Sequence, residues 1–206
     1  WFIILLIISF PLKADNIFVE AESFDCRGGW VLDNQSMGQM GSPYLLAHGL
    51  GVPVENASTV IRVENGGKYR VWVRTRDWVK QWDQTASPGR FELLLNGKAL
   101  EVTFGTERAE WHWQDGGTIC LKTGENRVEL RDLTGFDGRC DAIFFTSALE
   151  MLPPDGKEEL TVFRRNMLGL PENPEDAGEF DLVVVGGGIA GCCTALSARS
   201  EEHTSE

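Results

Sequence analysis

The chain has 206 residues and a formal net charge of −12, and 42% of its residues are hydrophobic. This length allows one domain plus a fragment, or two small domains. The negative net charge argues against nucleic acid or an anionic membrane as a partner, because both bind proteins mainly through clustered Lys and Arg.

The first ten residues, Trp1 to Phe10, form an unbroken apolar run of signal-peptide length. It is too short to span a bilayer, which needs about 20 residues. The sequence therefore predicts a signal peptide over residues 1–14 that lacks its own start, with cleavage after Ala14 and export to the periplasm or outside the cell. The alternative is a buried first strand.

Short strands separated by glycine-rich turns are predicted from Asn16 to Ser147. Residues Tyr69 to Arg74 alternate apolar and polar, as expected for a sheet with one covered face. Asn96-Gly97 is typical of a tight hairpin turn. The candidate strands are Ile17–Glu22, Trp30–Asp33, Ser58–Val63, Tyr69–Arg76, Arg90–Leu95, Ala99–Phe104, Trp111–Trp113, Gly117–Leu121, Arg127–Asp132 and Asp141–Thr146.

This pattern predicts a mainly β fold, an antiparallel jelly-roll β-sandwich over residues 15–148. A linker and a truncated Rossmann-type βα unit are expected to follow it.

Two sets of tryptophans differ in their surroundings. Trp72, Trp111 and Trp113 lie in predicted strands, where packing in the core is the expected role. Trp78 and Trp82 lie in an irregular polar stretch, Asp77 to Gln84. Aromatic rings among hydrogen-bonding groups suit a sugar site, in which rings stack on the sugar and polar groups bind hydroxyls. The alternative is that both rings dock the sandwich onto a neighbouring domain.

The cysteines and histidines carry weaker signals. In an oxidising compartment, Cys120 and Cys140 could pair with each other or with Cys26, and buried free thiols are the alternative. Neither His48 nor His112 has a partner at metal-ligand spacing, so each is expected in a loop or on a strand surface.

Four segments resemble the galactose-binding-like jelly roll of carbohydrate-binding modules. They are Val19-Glu20-Ala21-Glu22, the strand from Gly66 to Arg74, the Asn96-Gly97 hairpin, and Gly124–Leu130 through Asp141-Ala-Ile-Phe. The resemblance covers residues 17–146. It implies a calcium ion that joins the first strand to the last through Glu20, Glu22 and Asp141, whose hard oxygen ligands suit calcium. The alternatives are a sodium ion, or solvated carboxylates at the sheet edge with no ion.

Residues 149–179 change in character and predict a linker with a short helix. Pro153-Pro154 opens it, a charged segment from Lys157 to Leu170 is expected to be helical, and an acidic stretch follows. Without a complete neighbouring domain, this segment is expected to be mobile.

Asp181 to Leu196 carries the pattern strand, G-x-G-x-x-G, small-residue helix. The first glycine allows a tight bend, the second allows close approach of a pyrophosphate, and the third allows helix-to-strand packing. The pattern resembles the start of the FAD-dependent oxidoreductases. That resemblance implies that FAD binds through Gly186, Gly187, Gly188, Ile189, Ala190 and Gly191, in a domain that is expected to begin at residue 180.

The last eight residues, Arg199 to Glu206, look like the in-frame translation of a widely used sequencing adapter. The prediction is that they are not part of the natural protein, so that the dinucleotide-binding domain covers only residues 180–198.

Three functions remain open. In the first, the chain is the N-terminal part of an exported FAD-dependent oxidoreductase with a sugar-binding-like domain. In the second, it is a non-catalytic carbohydrate-binding module. In the third, the sandwich is purely a structural docking domain. No catalytic residue is identified in the sequence.

Overall fold

The computed structural model describes residues 14–201, with side chains to residue 199. The predicted signal peptide, apart from Ala14, and residues 202–206 of the predicted adapter tail lie outside this range. The chain divides into two compact units, one ending at Pro171 and one beginning at Glu172. Each unit is described by itself.

The first unit contains the strands, all paired antiparallel where they meet within the described residues. They are β1 (Asn16–Glu20), β2 (Val31–Asp33), β3 (Tyr44–His48), β4 (Ala57–Val63), β5 (Gly67–Thr75), β6 (Phe91–Leu95), β7 (Lys98–Phe104), β8 (His112–Leu121), β9 (Gly124–Asp132) and β10 (Phe136–Thr146). The helices of the described chain are α1 (Met37–Met40), α2 (Lys157–Met167) and α3 (Ile189–Glu201).

The strands form two sheets. One has the order β2-β3-β10-β5-β8, with β1 also paired to β10, and the other has the order β4-β9-β6-β7. The apolar core lies between the sheets and includes Phe91, Phe104 and Phe145, none of which is exposed. The predicted mainly β, antiparallel jelly-roll sandwich is confirmed.

Several strand boundaries differ from the predicted ones. Strand β3 was not predicted, because its mostly apolar sequence lacks an alternating polar face. The predicted strand Gly117–Leu121 and all but Trp111 of the predicted strand Trp111–Trp113 belong to one strand, β8, whose register against β5 shifts between Arg70 and Trp72. Gly117 has φ +80°, which permits this irregularity within the strand.

The hairpin between β6 and β7 follows the sequence prediction. Asn96 and Gly97 have φ values of +52° and +81°, as a type I′ turn requires. Leu95 and Lys98 are directly paired beside this turn.

Helix α2 packs on the outer face of the larger sheet. Its Leu160 and Phe163 join Trp72, Trp113 and Phe144 in a second apolar cluster. The indole N–H of Trp72 donates to the carbonyl of Met151 at 3.2 Å, and that of Trp113 donates to the carbonyl of Pro154 at 3.0 Å. The expected mobile linker is therefore, up to Pro171, part of the same compact unit as the sandwich.

The second unit contains α3 but not the strand predicted before it. Residues Asp181 to Val185 have no regular structure, and Val183 and Val185 are 68% and 92% exposed. A parallel strand needs neighbouring strands and helices on both faces, and the described residues of this unit supply none. Within the described residues, no helix is long and apolar enough to cross a membrane.

We predict that Phe163→Ala lowers the free energy of unfolding by about 3 kcal/mol, because it removes a ring buried against Trp113 and Phe144. Urea unfolding of the full chain measures this change. Val162→Ala is the control, since Val162 lies on the same helix and is 44% exposed. Equal losses in both variants would contradict the packing of α2.

Candidate ligand-binding and cation sites

The loop from Asp77 to Gln84 is ordered by hydrogen bonds within itself and to Arg108. Asp77 is fully buried, and its carboxylate accepts a bond from the backbone N–H of Val79 at 3.1 Å. The backbone N–H of Asp77 donates to the carbonyl of Arg108 at 2.7 Å, and that of Trp82 donates to the carbonyl of Val79 at 2.8 Å. These bonds hold the two tryptophans of the loop in place before any ligand arrives.

Trp78 and Trp82 lie edge to face, with ring centroids 6.2 Å apart. Trp78 is half-buried: the guanidinium of Arg139 lies 5.5 Å from its ring centroid, and its indole N–H donates to the carbonyl of Phe136 at 3.3 Å. Trp82 is 72% exposed. The loop thus presents one anchored ring and one ring open to solvent.

The two rings border a cavity of about 190 Å³ whose other walls are polar. Tyr44 lies on β3, Arg139 lies on β10, and Arg76 directly follows β5. The Nε of Arg76 is buried without a hydrogen-bond partner in the described residues, and burial lowers the pKa of this guanidinium. Burial likewise raises the pKa of Tyr44. The sequence pattern does not single out these three residues, because Tyr44 and Arg139 are far from the loop along the chain and Arg76 reads as the end of a predicted strand.

The predicted cation ligands do come together, although not on one strand. Strand β1 ends at Glu20, and Ala21–Ser23 is a 3-10 turn. The predicted strand Ile17–Glu22 therefore ends two residues earlier than expected, and Glu22 lies on the turn. The turn instead brings Glu22 toward Glu20 and toward Asp141 on β10.

Burial dominates the electrostatics of this acidic cluster, which we define as Glu20, Glu22 and Asp141. Burial raises the pKa of Asp141 to about 6, while Arg164 and Arg74 act to lower it. Burial raises the pKa of Glu22 to about 7, and one oxygen of Glu22 is buried without a hydrogen-bond partner.

The guanidinium of Arg164, from α2, lies in the middle of the acidic cluster. Its Nη1 donates to both oxygens of Asp141, at 2.9 and 3.1 Å. Its Nη2 donates to Glu20 at 2.5 Å and lies 3.9 Å from Glu22. Burial lowers the pKa of Arg164, but Asp141 and Glu20 raise it by more, so that it lies above the ordinary arginine value. As the side chains of the described residues stand, no group of three or more His, Cys, Asp or Glu is arranged to hold a metal ion.

The remaining candidate residues form no further site. All five cysteines are free, so none of the possible disulfides is formed, and Cys140 is buried. His48 is exposed and pairs with Asp137 at 2.6 Å. The sequence predicted His112 in a loop or on a strand surface, but the side chain is only 2% exposed. Its Nδ1 lies 3.0 Å from the carbonyl oxygen of Glu110.

Two positions of the glycine turn in the second unit would be strained by a side chain. Gly186 has φ +103°, and a Cβ at Gly191 would lie 2.1 Å from the carbonyl oxygen of Gly186. Both positions therefore require glycine. The turn leads directly into α3, which begins at Ile189.

Solved structures show what this sandwich is similar to. A β-(1,4)-mannanase of Podospora anserina, described as GH26-CBM35, matches with a TM-score of 0.51 and 21% identity, over 68% of this chain and 29% of its own. A family 35 carbohydrate-binding module from an environmental isolate matches with a TM-score of 0.50 and 18% identity, over 64% of this chain and 93% of its own. The sandwich has the fold of a carbohydrate-binding module.

The chain thus spans under a third of the mannanase but nearly all of the isolated module. No protein-family model matches the sequence, and no curated protein is significantly similar to it. At these identities the similarity shows the carbohydrate-binding-module fold and nothing finer.

We predict that Asp77→Ala loosens the aromatic loop of this carbohydrate-binding-module fold, because it removes the buried carboxylate that anchors the turn. Amide hydrogen exchange of residues 78–84 is expected to accelerate at least about tenfold, as lost buried hydrogen bonds imply. Glu101→Ala, an exposed carboxylate on β7, is the control. Unchanged exchange in the Asp77 variant would show that the loop is held by other contacts.

Proposed function

We propose that the sandwich is a carbohydrate-binding module whose binding site is the cleft formed by Trp78, Trp82, Tyr44, Arg76 and Arg139. The observation that carries this proposal is the exposure of Trp82. An indole ring that is 72% exposed gains little from the fold, yet it stands on an ordered loop beside a polar cavity. A large exposed aromatic ring beside convergent polar groups is characteristic of a binding site.

The chemistry of the cleft suits a saccharide. Trp82 offers a flat apolar face to the C–H groups of a pyranose ring, while Trp78 is held from behind by Arg139. Gln35 and Gln81 add amide groups at the rim, and the free Nε of Arg76 supplies a buried donor for a hydroxyl. The hydrogen-bonded loop reduces the ordering cost of binding.

The rival role for the same surface is protein docking. Exposed aromatic residues also serve as anchors at interfaces between domains. This role requires no saccharide, so the two functions give opposite results when the full chain is tested with glycans.

We predict that the full chain retains oligosaccharides on a glycan array and that Trp82→Ala weakens the best-bound saccharide at least about tenfold, as for a central aromatic contact. Isothermal titration calorimetry measures the affinity. Val60→Ala is the control, since Val60 is 50% exposed on β4 of the other sheet. A silent array, or equal losses in both variants, would favour the docking role.

As a second candidate, we propose that the glycine turn belongs to an FAD-binding domain, so that the sandwich is the exported accessory part of an oxidoreductase. The glycine requirements at Gly186 and Gly191 favour this proposal. When bound, FAD would supply redox chemistry at its flavin ring. The described residues that fit it, Gly186 to Gly191, could contact only its pyrophosphate, through backbone N–H groups at the start of α3.

The FAD proposal predicts that ADP shifts the amide resonances of Gly186 to Cys192 in NMR spectra of the full chain, and that Gly188→Val abolishes these shifts. Because Leu182 to Val185 form no strand, binding is expected to be too weak to retain FAD through purification. Gly178→Val, outside the turn, should leave the shifts unchanged. Absence of ADP-dependent shifts in the unmodified chain would contradict the proposal.

A further inference from the structure

We infer that Arg164 replaces the divalent cation expected in the acidic cluster, so that the docked helix α2, rather than a metal ion, neutralises the carboxylates where the paired first and last strands meet. The three residues that the resemblance assigns to calcium are Glu20, Glu22 and Asp141. This inference is independent of whether the sandwich binds a glycan.

The geometry leaves no room for both cations. Calcium binds carboxylate oxygens at about 2.3–2.6 Å and needs six to eight oxygen ligands. Both oxygens of Asp141 already lie 2.9 and 3.1 Å from Nη1 of Arg164. A calcium ion bound to these oxygens would overlap the guanidinium. The residues present therefore do not fit a calcium ion while α2 is docked.

Burial makes the replacement effective. The side chain of Asp141 is 0% exposed, that of Arg164 is 7% exposed, and those of Glu20 and Glu22 are 21% and 15% exposed. In such surroundings, a planar guanidinium that donates to several carboxylates is strongly held. A second guanidinium, that of Arg74, lies 3.4 Å from Asp141 and also pairs with Asp155 at 2.8 Å.

Arg164 also connects the segments that a structural cation would connect. It reaches Glu20 at the end of β1, Asp141 on β10, and the hydroxyl of Ser42 just before β3. Its guanidinium lies 5.7 Å from the ring centroid of Phe18 on β1. The apolar side of α2, through Leu160 and Phe163, fixes the helix so that Arg164 faces the cluster.

The test measures the melting temperature of the full chain in calcium chloride and in EDTA, together with calorimetric titration of calcium. The unmodified chain is expected to melt at the same temperature in both solutions and to bind no calcium. Arg164→Ala is expected to lower the melting temperature by at least about 6 °C, as for a broken buried ion pair. Calcium should restore part of this loss and EDTA should remove the recovery.

The matched control is Arg131→Ala, which removes a half-exposed guanidinium paired with Glu92 on the other sheet. It should cost less than Arg164→Ala and show no response to calcium. The melting temperature of Arg164→Lys should lie between those of Arg164→Ala and Arg131→Ala. It should not respond to calcium, because the ammonium keeps a positive charge in the cluster.

Any one of three results would overturn the inference: calcium-dependent melting of the unmodified chain, a loss in Arg164→Ala no larger than in the control, or no calcium response in Arg164→Ala. If Arg164→Ala yields no folded protein, the unmodified chain and Arg164→Lys decide, and calcium dependence in either one would overturn the inference.

Discussion

The rest of the first unit depends on one buried charge, the carboxylate of Asp141. It lies in the middle of β10, the strand that pairs with β1, β3 and β5, and its side chain has no exposure to water. A carboxylate in this position needs a cation with good geometry, since an uncompensated buried charge is strongly destabilising. Helix α2 meets that need, because its apolar side packs on the larger sheet and holds Arg164 against Asp141.

The sequence contained enough to predict the sandwich but not its exact strands. Alternation identified β5, and Asn96-Gly97 identified a hairpin, because both signals are local. Strand β3 could not be predicted from alternation, because its side chains are largely buried and show no polar face. The strand before Gly186 was predicted from apolar residues, yet a parallel strand exists only with its neighbours, which are not among the described residues.

The candidate sites were predictable to different degrees. Trp78 and Trp82 stand out because two aromatic residues in a polar loop are unusual. Arg139, in contrast, is more than 50 residues away along the chain, and the pairing of β5 with β10 brings its strand beside the start of the loop. The convergence of Glu20, Glu22 and Asp141 followed from a family resemblance. Arg164 could not be predicted as their counter-charge, because nothing in the spacing of a charged helix says which arginine turns inward.

The packing of α2 also determines where this domain can be divided. The helix covers Trp72 and Trp113 on the outside of the sheet, and the segment before it accepts both of their indole N–H groups. A recombinant fragment cut just after β10 would expose two adjacent tryptophans flanked by Arg70 and Arg74. Exposed apolar patches favour association, so a truncated module would self-associate through a face that the intact chain keeps covered.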